Sequence, residues 1–111
     1  MLIQFRSNNI PLSEGLRASL SGFVLKSLKR YKENIIRIEV HLEDENSDKT
    51  GKNDKRCSIE VRPANLKPII ATSKSDNLIQ AVREAADKSK ASLDKTIGRI
   101  SDRKYYSDDG I

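Results

Sequence analysis

The stretch Ile36-Arg37-Ile38-Glu39-Val40-His41-Leu42 decides the fold. Apolar and polar residues alternate across it without a break, the period of a strand with one face buried and the other in water. Ile36, Ile38, Val40 and Leu42 then share the inner face, leaving Arg37, Glu39, His41 and Glu43 outside. The strand spans about residues 35–44, and similar segments flank it. Leu2 to Ser7 alternates with Ile3 and Phe5 against Gln4 and Arg6. Arg56 to Arg62 turns Cys57, Ile59 and Val61 inward. Lys67 to Ser73 supplies a fourth strand carrying Ile69, Ile70 and Ala71, with Pro68 near its start, where a missing N–H is tolerated.

Two segments have helical period instead. Leu16, Leu20, Phe23, Val24, Leu28 and Tyr31 recur at three- and four-residue spacing, one apolar stripe of a helix over about residues 14–32, with Ser13 as N-cap. Gly22 inside it costs about 1 kcal/mol against alanine, which packing must offset. Leu78, Val82, Ala85, Ala86, Ser89, Leu93, Ile97 and Ile100 form the stripe of a second helix over about 77–101, capped by Ser75 or Asp76. The polar run from Glu45 to Asp54 joins strands two and three as a hairpin connection, and Pro63-Ala64-Asn65 turns the chain again.

The order is therefore β-α-β-β-β-α. A right-handed crossover makes strands one and two parallel neighbours, and short turns make the other pairs antiparallel. The expected fold is an α/β two-layer sandwich: a four-stranded mixed sheet with both helices on one face. From helix one onward the order is that of a double-stranded-RNA-binding domain. The chain of 111 residues makes one domain over 1–101, with 102–111 as a flexible tail. No apolar run approaches the roughly 20 residues of a membrane-spanning helix. The N-terminus shows no secretory signal, and a lone Cys57 fits a reducing cytoplasm.

Little here suits catalysis. His41 falls on the polar strand face, a solvated histidine. Cys57 lies in register with Ile59 and Val61, where a buried thiol acts as a small hydrophobe. Asp44 to Asp48 mimics the start of a calcium loop, but Lys49 stands where the turn needs glycine and Lys55 where the bidentate glutamate belongs. Gly51-Lys52 lacks the spaced glycine of a phosphate loop, and the five glycines form no dinucleotide fingerprint. No catalytic residue, metal, cofactor or small-molecule substrate is expected.

Net charge is +5, and its location is more informative than its size. Residues 1–32 hold six basic groups against Glu14 alone, whereas residues 33–76 are net −1 and residues 77–111 net +1. Lys88, Lys95 and Arg99 line one flank of helix two; Arg83 and Lys90 line the other. Lys26 and Lys29 project from helix one, with Arg30 at the border of its apolar stripe. Side by side on the sheet, the helices would merge these flanks into a basic strip, the footprint of a phosphate-backbone binder. Lysines on exposed helix faces are also ordinary, so a protein-interaction module stays open. The outer sheet face carries mixed signs and no aromatic platform, so base-stacking readout is not expected. Tyr105 and Tyr106 could stack on a base or dock a partner, but fit a frayed tail better.

The opening Ile3-Gln4-Phe5-Arg6-Ser7-Asn8-Asn9-Ile10-Pro11-Leu12-Ser13-Glu14-Gly15-Leu16-Arg17 resembles that of the ribosome hibernation-promoting factors, also called ribosome-associated inhibitor or sigma-54 modulation proteins. Asp76, Ala81-Val82, Asp87-Lys88, Leu93 and Lys95 follow the family's order in the second helix, so the resemblance covers about residues 2–100. The chain departs from it in having Gly22-Phe23 where a basic residue is common, Ala91 where an arginine is usual, and Arg83 at a usually acidic position. The resemblance implies a non-enzymatic cytoplasmic factor that binds the small ribosomal subunit and its RNA under stress. It would block translation by occupying the decoding channel, and would be a monomer off the ribosome. Lys88 and Lys95 match the family's basic positions best and Lys26 and Lys29 next, while Arg30, Lys90 and Arg99 are added from helical geometry. Ending before any second, ribosome-pairing domain, the chain resembles the short type. The alternative is a generic structured-RNA binder or ribosome-biogenesis accessory protein.

Overall fold

In the computed structural model, residues 2–45 and 54–98 are described. Four strands, β1 (Leu2–Asn8), β2 (Ile35–Asp44), β3 (Lys55–Pro63) and β4 (Ile69–Ser75), and two helices, α1 (Glu14–Ser27) and α2 (Leu78–Leu93), follow one another as β-α-β-β-β-α. The sheet order is β1-β2-β3-β4, with β1 parallel to β2 and both other pairs antiparallel. Both helices cover one face. α2 packs on β3 and β4 and lies alongside α1. One core joins them, made by Leu20, Val24 and Leu28, by Ile38, Val40 and Leu42, by Cys57, Ile59 and Val61, and by Val82 and Leu93. Each large aliphatic side chain so buried contributes about 1.5–3 kcal/mol.

Local chemistry places the helix starts. Asn9 adopts the left-handed region (φ 64°), which asparagine tolerates, and carries the chain off β1. Ser13 then caps α1, its hydroxyl accepting from the Leu16 N–H at 3.1 Å. Asn77, not Ser75 or Asp76, caps α2: its side-chain oxygen accepts from the N–H groups of Ile79 (2.8 Å) and Gln80 (3.3 Å). Ser75 serves one step earlier, accepting from the Asn77 N–H at 3.3 Å. Three candidate caps in a row look alike in sequence, and hydrogen-bond geometry selects among them.

Three further expectations are corrected. Helix one does not run to residue 32. α1 ends at Ser27 and the chain tightens into a 3₁₀ turn over Lys29–Tyr31. The i, i+3 spacing of that turn keeps Leu28 and Tyr31 inside, so the apolar stripe survives the change of helix type. Ile36 is not a core residue: a register shift between Ile35 and Arg37 buries Ile35 and leaves Ile36 63% exposed. A bulge inserts one residue and inverts the alternation before it. On β4, Ala71 and Ser73 face the core while Ile70 is 66% exposed.

Cys57 is buried as expected, and burial pushes its thiol up to about 12. The hairpin between β2 and β3 is closed by the Glu45 N–H donating to the Asp54 carbonyl at 2.9 Å. Lys55 Nζ bridges Asp44 (3.2 Å) and Asp54 (3.0 Å) beside it. Small residues at Ala81, Ala85, Ala86 and Ser89, all fully buried, let α2 sit close to the sheet, and Ala81 extends the stripe read from the sequence. α2 gives way to a π-helical turn over Asp94–Gly98, which keeps Ile97 in the core. The expected extension to residue 101, with Arg99 and Ile100, and the expected tail 102–111, with Tyr105 and Tyr106, lie outside the described residues. Among the described residues, no helix is long and apolar enough to cross a membrane.

Candidate nucleic-acid interface

The helix layer and the outer sheet face are the two broad surfaces of the fold. On the sheet face, cross-strand register sets Arg37 opposite Arg62 and Glu39 opposite Glu60, and the ion pairs of these four residues form along each strand instead. Arg6 lies beside His41, and Glu39 beside Glu60. Arg37 reaches Glu39 at 3.5 Å, Arg62 reaches Glu60 at 3.5 Å, Arg56 reaches Glu43 at 3.9 Å and Lys74 reaches Glu45 at 3.3 Å. Partial burial disfavours the Glu39 carboxylate, yet Arg37, Arg6 and His41 together hold it below its ordinary value. His41 is part-exposed, 3.6 Å from Glu39, on the polar face as expected. Arg37, Arg56, Arg62 and Lys74 thus each have a carboxylate within 4 Å, whereas Arg6 forms no such pair among the described residues.

The helix layer is different. Lys26, Lys29 and Lys95 are exposed, and among the described residues none of them forms an ion pair. Arg30 is 70% exposed, 3.8 Å from Asp94 and 5.5 Å from the centre of the Tyr31 ring. Lys90 reaches the same Asp94 at 3.5 Å across one helical turn. The Tyr31 hydroxyl donates to Asp94 as well. That hydrogen bond, against partial burial and aided by Lys90 and Arg30, holds the Asp94 carboxyl below its ordinary value. One carboxylate thus gathers two candidate cations at the C-terminal ends of both helices.

The two flanks of α2 face opposite ways. Lys88 Nζ donates to the Thr72 carbonyl of β4 at 2.9 Å, so its flank lies against the sheet edge. Beside it Glu84 accepts from the Ser73 hydroxyl at 2.6 Å and from Gln80 at 3.1 Å, and these bonds lower its pKa. The Arg83 and Lys90 flank faces α1 instead. The expected basic strip is therefore joined across the helix seam by Lys26, Arg30, Arg83 and Lys90, while Lys88 sits on the far flank of α2 and Lys95 on the exposed part of its π-helical turn. Arg99 lies outside the described residues.

Arg83 was not among the expected contact residues. Its guanidinium lies 4.5 Å from the centre of the Phe23 ring, and the two residues share a groove of about 230 Å³ with Lys26, Ser27 and Asp87. The sequence holds part of the signal: Phe23 is the one aromatic residue within α1, and Arg83 lies on a flank of α2. Among the described residues no cluster of histidine, cysteine and carboxylates is placed to hold a metal ion. Chemically, the layer offers fixed positive charge and guanidinium and ammonium donors to an anion.

Residues 3–101 match the family described as sigma 54 modulation protein / S30EA ribosomal protein. Among solved structures, a ribosomal subunit interface protein from Coxiella burnetii is similar, with 22% identity and a TM-score of 0.67, over 88% of this chain and 99% of that one. The N-terminal domain of Thermus thermophilus Protein Y is similar at 16% identity and a TM-score of 0.65, over 85% of this chain and 93% of that one. At these identities the likeness concerns the fold alone. Comparison with curated proteins gives no match.

Proposed function

This chain belongs to the sigma-54 modulation protein / S30EA ribosomal protein family, and on that premise we propose that it silences ribosomes by binding the small subunit through its helix layer. It would act in the cytoplasm as a monomer, with residues 1–101 as the binding domain, and would exclude messenger and transfer RNA from the decoding channel during stress. Occupancy suffices for that outcome, so the reading needs no catalytic residue and no cofactor.

The observation that carries it is the contrast between the faces. Lys26, Lys29, Arg83 and Lys95 on the helix layer form no ion pair among the described residues, whereas on the opposite face Arg37, Arg56, Arg62 and Lys74 each have a carboxylate within 4 Å. A phosphate backbone is the ligand such a layer fits, because each phosphate neutralised releases condensed counterions. Sedimentation of the purified protein with small ribosomal subunits, repeated over a range of salt, tests the reading. Binding that weakens steeply with salt and survives a mass excess of plain duplex RNA supports it. Equal loss to duplex RNA would favour a generic structured-RNA binder. Lys88→Glu with Lys95→Glu should abolish co-sedimentation; a doubly reversed protein that still sediments would remove those two residues from the interface.

A further inference from the structure

We propose that the groove between α1 and α2 is a seat for one backbone phosphate of structured RNA, gripped from opposite walls by Arg83 and Lys26. The inference deepens the reading above and rests on it. Arg83 comes from α2 and Lys26 from α1, and both are exposed at the groove they share with Phe23, Ser27 and Asp87. Neither forms an ion pair among the described residues.

The cation–π contact of Arg83 with Phe23, 4.5 Å from the ring centre, is what turns a surface arginine into a seat. The ring attracts the cation without acting as a conventional hydrogen-bond acceptor, so the guanidinium keeps donors for a ligand. The contact restrains the side chain before any ligand arrives, which reduces the ordering cost of binding. Planar, forked donors match phosphate oxygens in pairs, which a lone ammonium cannot do. Lys26 adds a second charge from the facing helix. Asp87 subtracts one, so the groove keeps a net positive charge of one unit.

The groove's chemistry favours a backbone phosphate over a free nucleotide. Phe23 is already in contact with Arg83, and among the described residues no second aromatic lines the groove to receive a base. The neighbouring cations Arg30 and Lys90 lie further along the same seam, where adjacent phosphates of one strand would pass.

Binding to purified small ribosomal subunits, with affinity measured at several salt concentrations, tests the seat. Arg83→Ala should weaken binding about tenfold and lower the salt slope by about one, the signature of one lost phosphate contact. Arg83→Lys keeps the charge and loses the planar fork, so the slope should hold while affinity falls severalfold. Phe23→Leu keeps an apolar side chain but removes the cation–π contact, and should weaken binding by a similar factor with its circular dichroism unchanged. Asp87→Asn should tighten binding severalfold, a change of opposite sign that a packing role for Arg83 does not produce. Unaltered affinity and slope in both Arg83→Ala and Asp87→Asn would overturn the seat while leaving the ribosome reading intact. No binding by the unaltered protein would overturn that reading and the seat with it.

Discussion

Cations on the two faces of this domain keep opposite company. On the outer sheet face Arg37, Arg56 and Arg62 all have carboxylates within 4 Å: Arg37 and Arg62 reach Glu39 and Glu60 two residues away on their own strands, and Arg56 reaches Glu43 across the β2–β3 pair. On the helix layer, Lys26, Lys29, Lys95 and Arg83 form no such pair among the described residues. One side therefore carries mostly paired cations, and the other carries four exposed cations with no carboxylate within reach among the described residues. Placement, more than the net +5, is what distinguishes the two faces and carries the proposed interface.

The hardest test of that contrast reverses two charges on each face. Lys26→Glu with Lys29→Glu, and Arg56→Glu with Arg62→Glu, shift the net charge equally, so any long-range effect is matched. The helix-layer pair should lower affinity for small subunits by about tenfold or more and flatten the salt slope by about two. The sheet-face pair should bind within about twofold of the unaltered protein. It should lose no more than about 1 kcal/mol of stability for each exposed ion pair removed. Equal loss of binding from both variants would erase the distinction.

Stability offers a second comparison, of smaller size. Asn77→Ala removes the side chain that accepts two N–H groups at the start of α2, and should cost about 1 kcal/mol in thermal unfolding. On the sheet face, Thr72→Ala removes a hydroxyl bonded to Ser58 at 3.2 Å, a cross-strand contact worth about 0.2–1 kcal/mol. A reversed order would place the weak point of the fold in the sheet. Gly22→Ala should act the other way. An added Cβ at Gly22 meets nothing within 4 Å, and the residue has no positive φ, so the helix should gain up to about 1 kcal/mol. The packing that was expected to offset this glycine is absent at its own position.

Much of this was legible in the sequence. Alternation in β1, β2 and β3 gave the strand count, the parallel and antiparallel pairs and the shared helix face. It failed at Ile36, because a bulge leaves no mark on hydrophobic spacing, and the neighbouring Ile35 can take the buried place equally well. The sequence reading also named Ser75 or Asp76 as the cap of α2 and missed Asn77, since the choice depends on one hydrogen-bond geometry. The site was legible only helix by helix. Spacing placed Lys26 and Lys29 on one helix and assigned Lys88 and Lys90 to opposite flanks of the other. Which flank meets α1 depends on how the helices dock on the sheet, and that docking brings Arg83 onto Phe23 and Lys88 onto the β4 edge. Relations within one element follow from its period; relations between elements follow from packing.

The smallest effect is a pH dependence, and it again separates the faces. Asp94 has a carboxyl pKa lowered from 3.8, chiefly by the Tyr31 hydrogen bond, against burial and with help from Lys90 and Arg30. A lowered folded-state pKa means that ionised Asp94 stabilises the fold above its unfolded value and ceases to do so as pH falls through the folded one. Between pH 7 and about 5 its contribution should be constant, and below about 4 it should fade. Asp94→Asn removes the titration, so the gap in thermal midpoint between the two proteins should be widest near pH 7 and close towards pH 3. Glu39 on the sheet face is lowered too, but by Arg37, Arg6 and His41 against burial, with no tyrosine involved. Tyr31→Phe should therefore narrow the acid dependence attached to Asp94 and leave that of Glu39 in place, read as the residue of pH dependence in the Tyr31→Phe, Asp94→Asn double variant. An acid profile unchanged by Tyr31→Phe would transfer the stabilisation of Asp94 to Arg30 and Lys90. The seam would then be held by charges that an incoming phosphate must compete for.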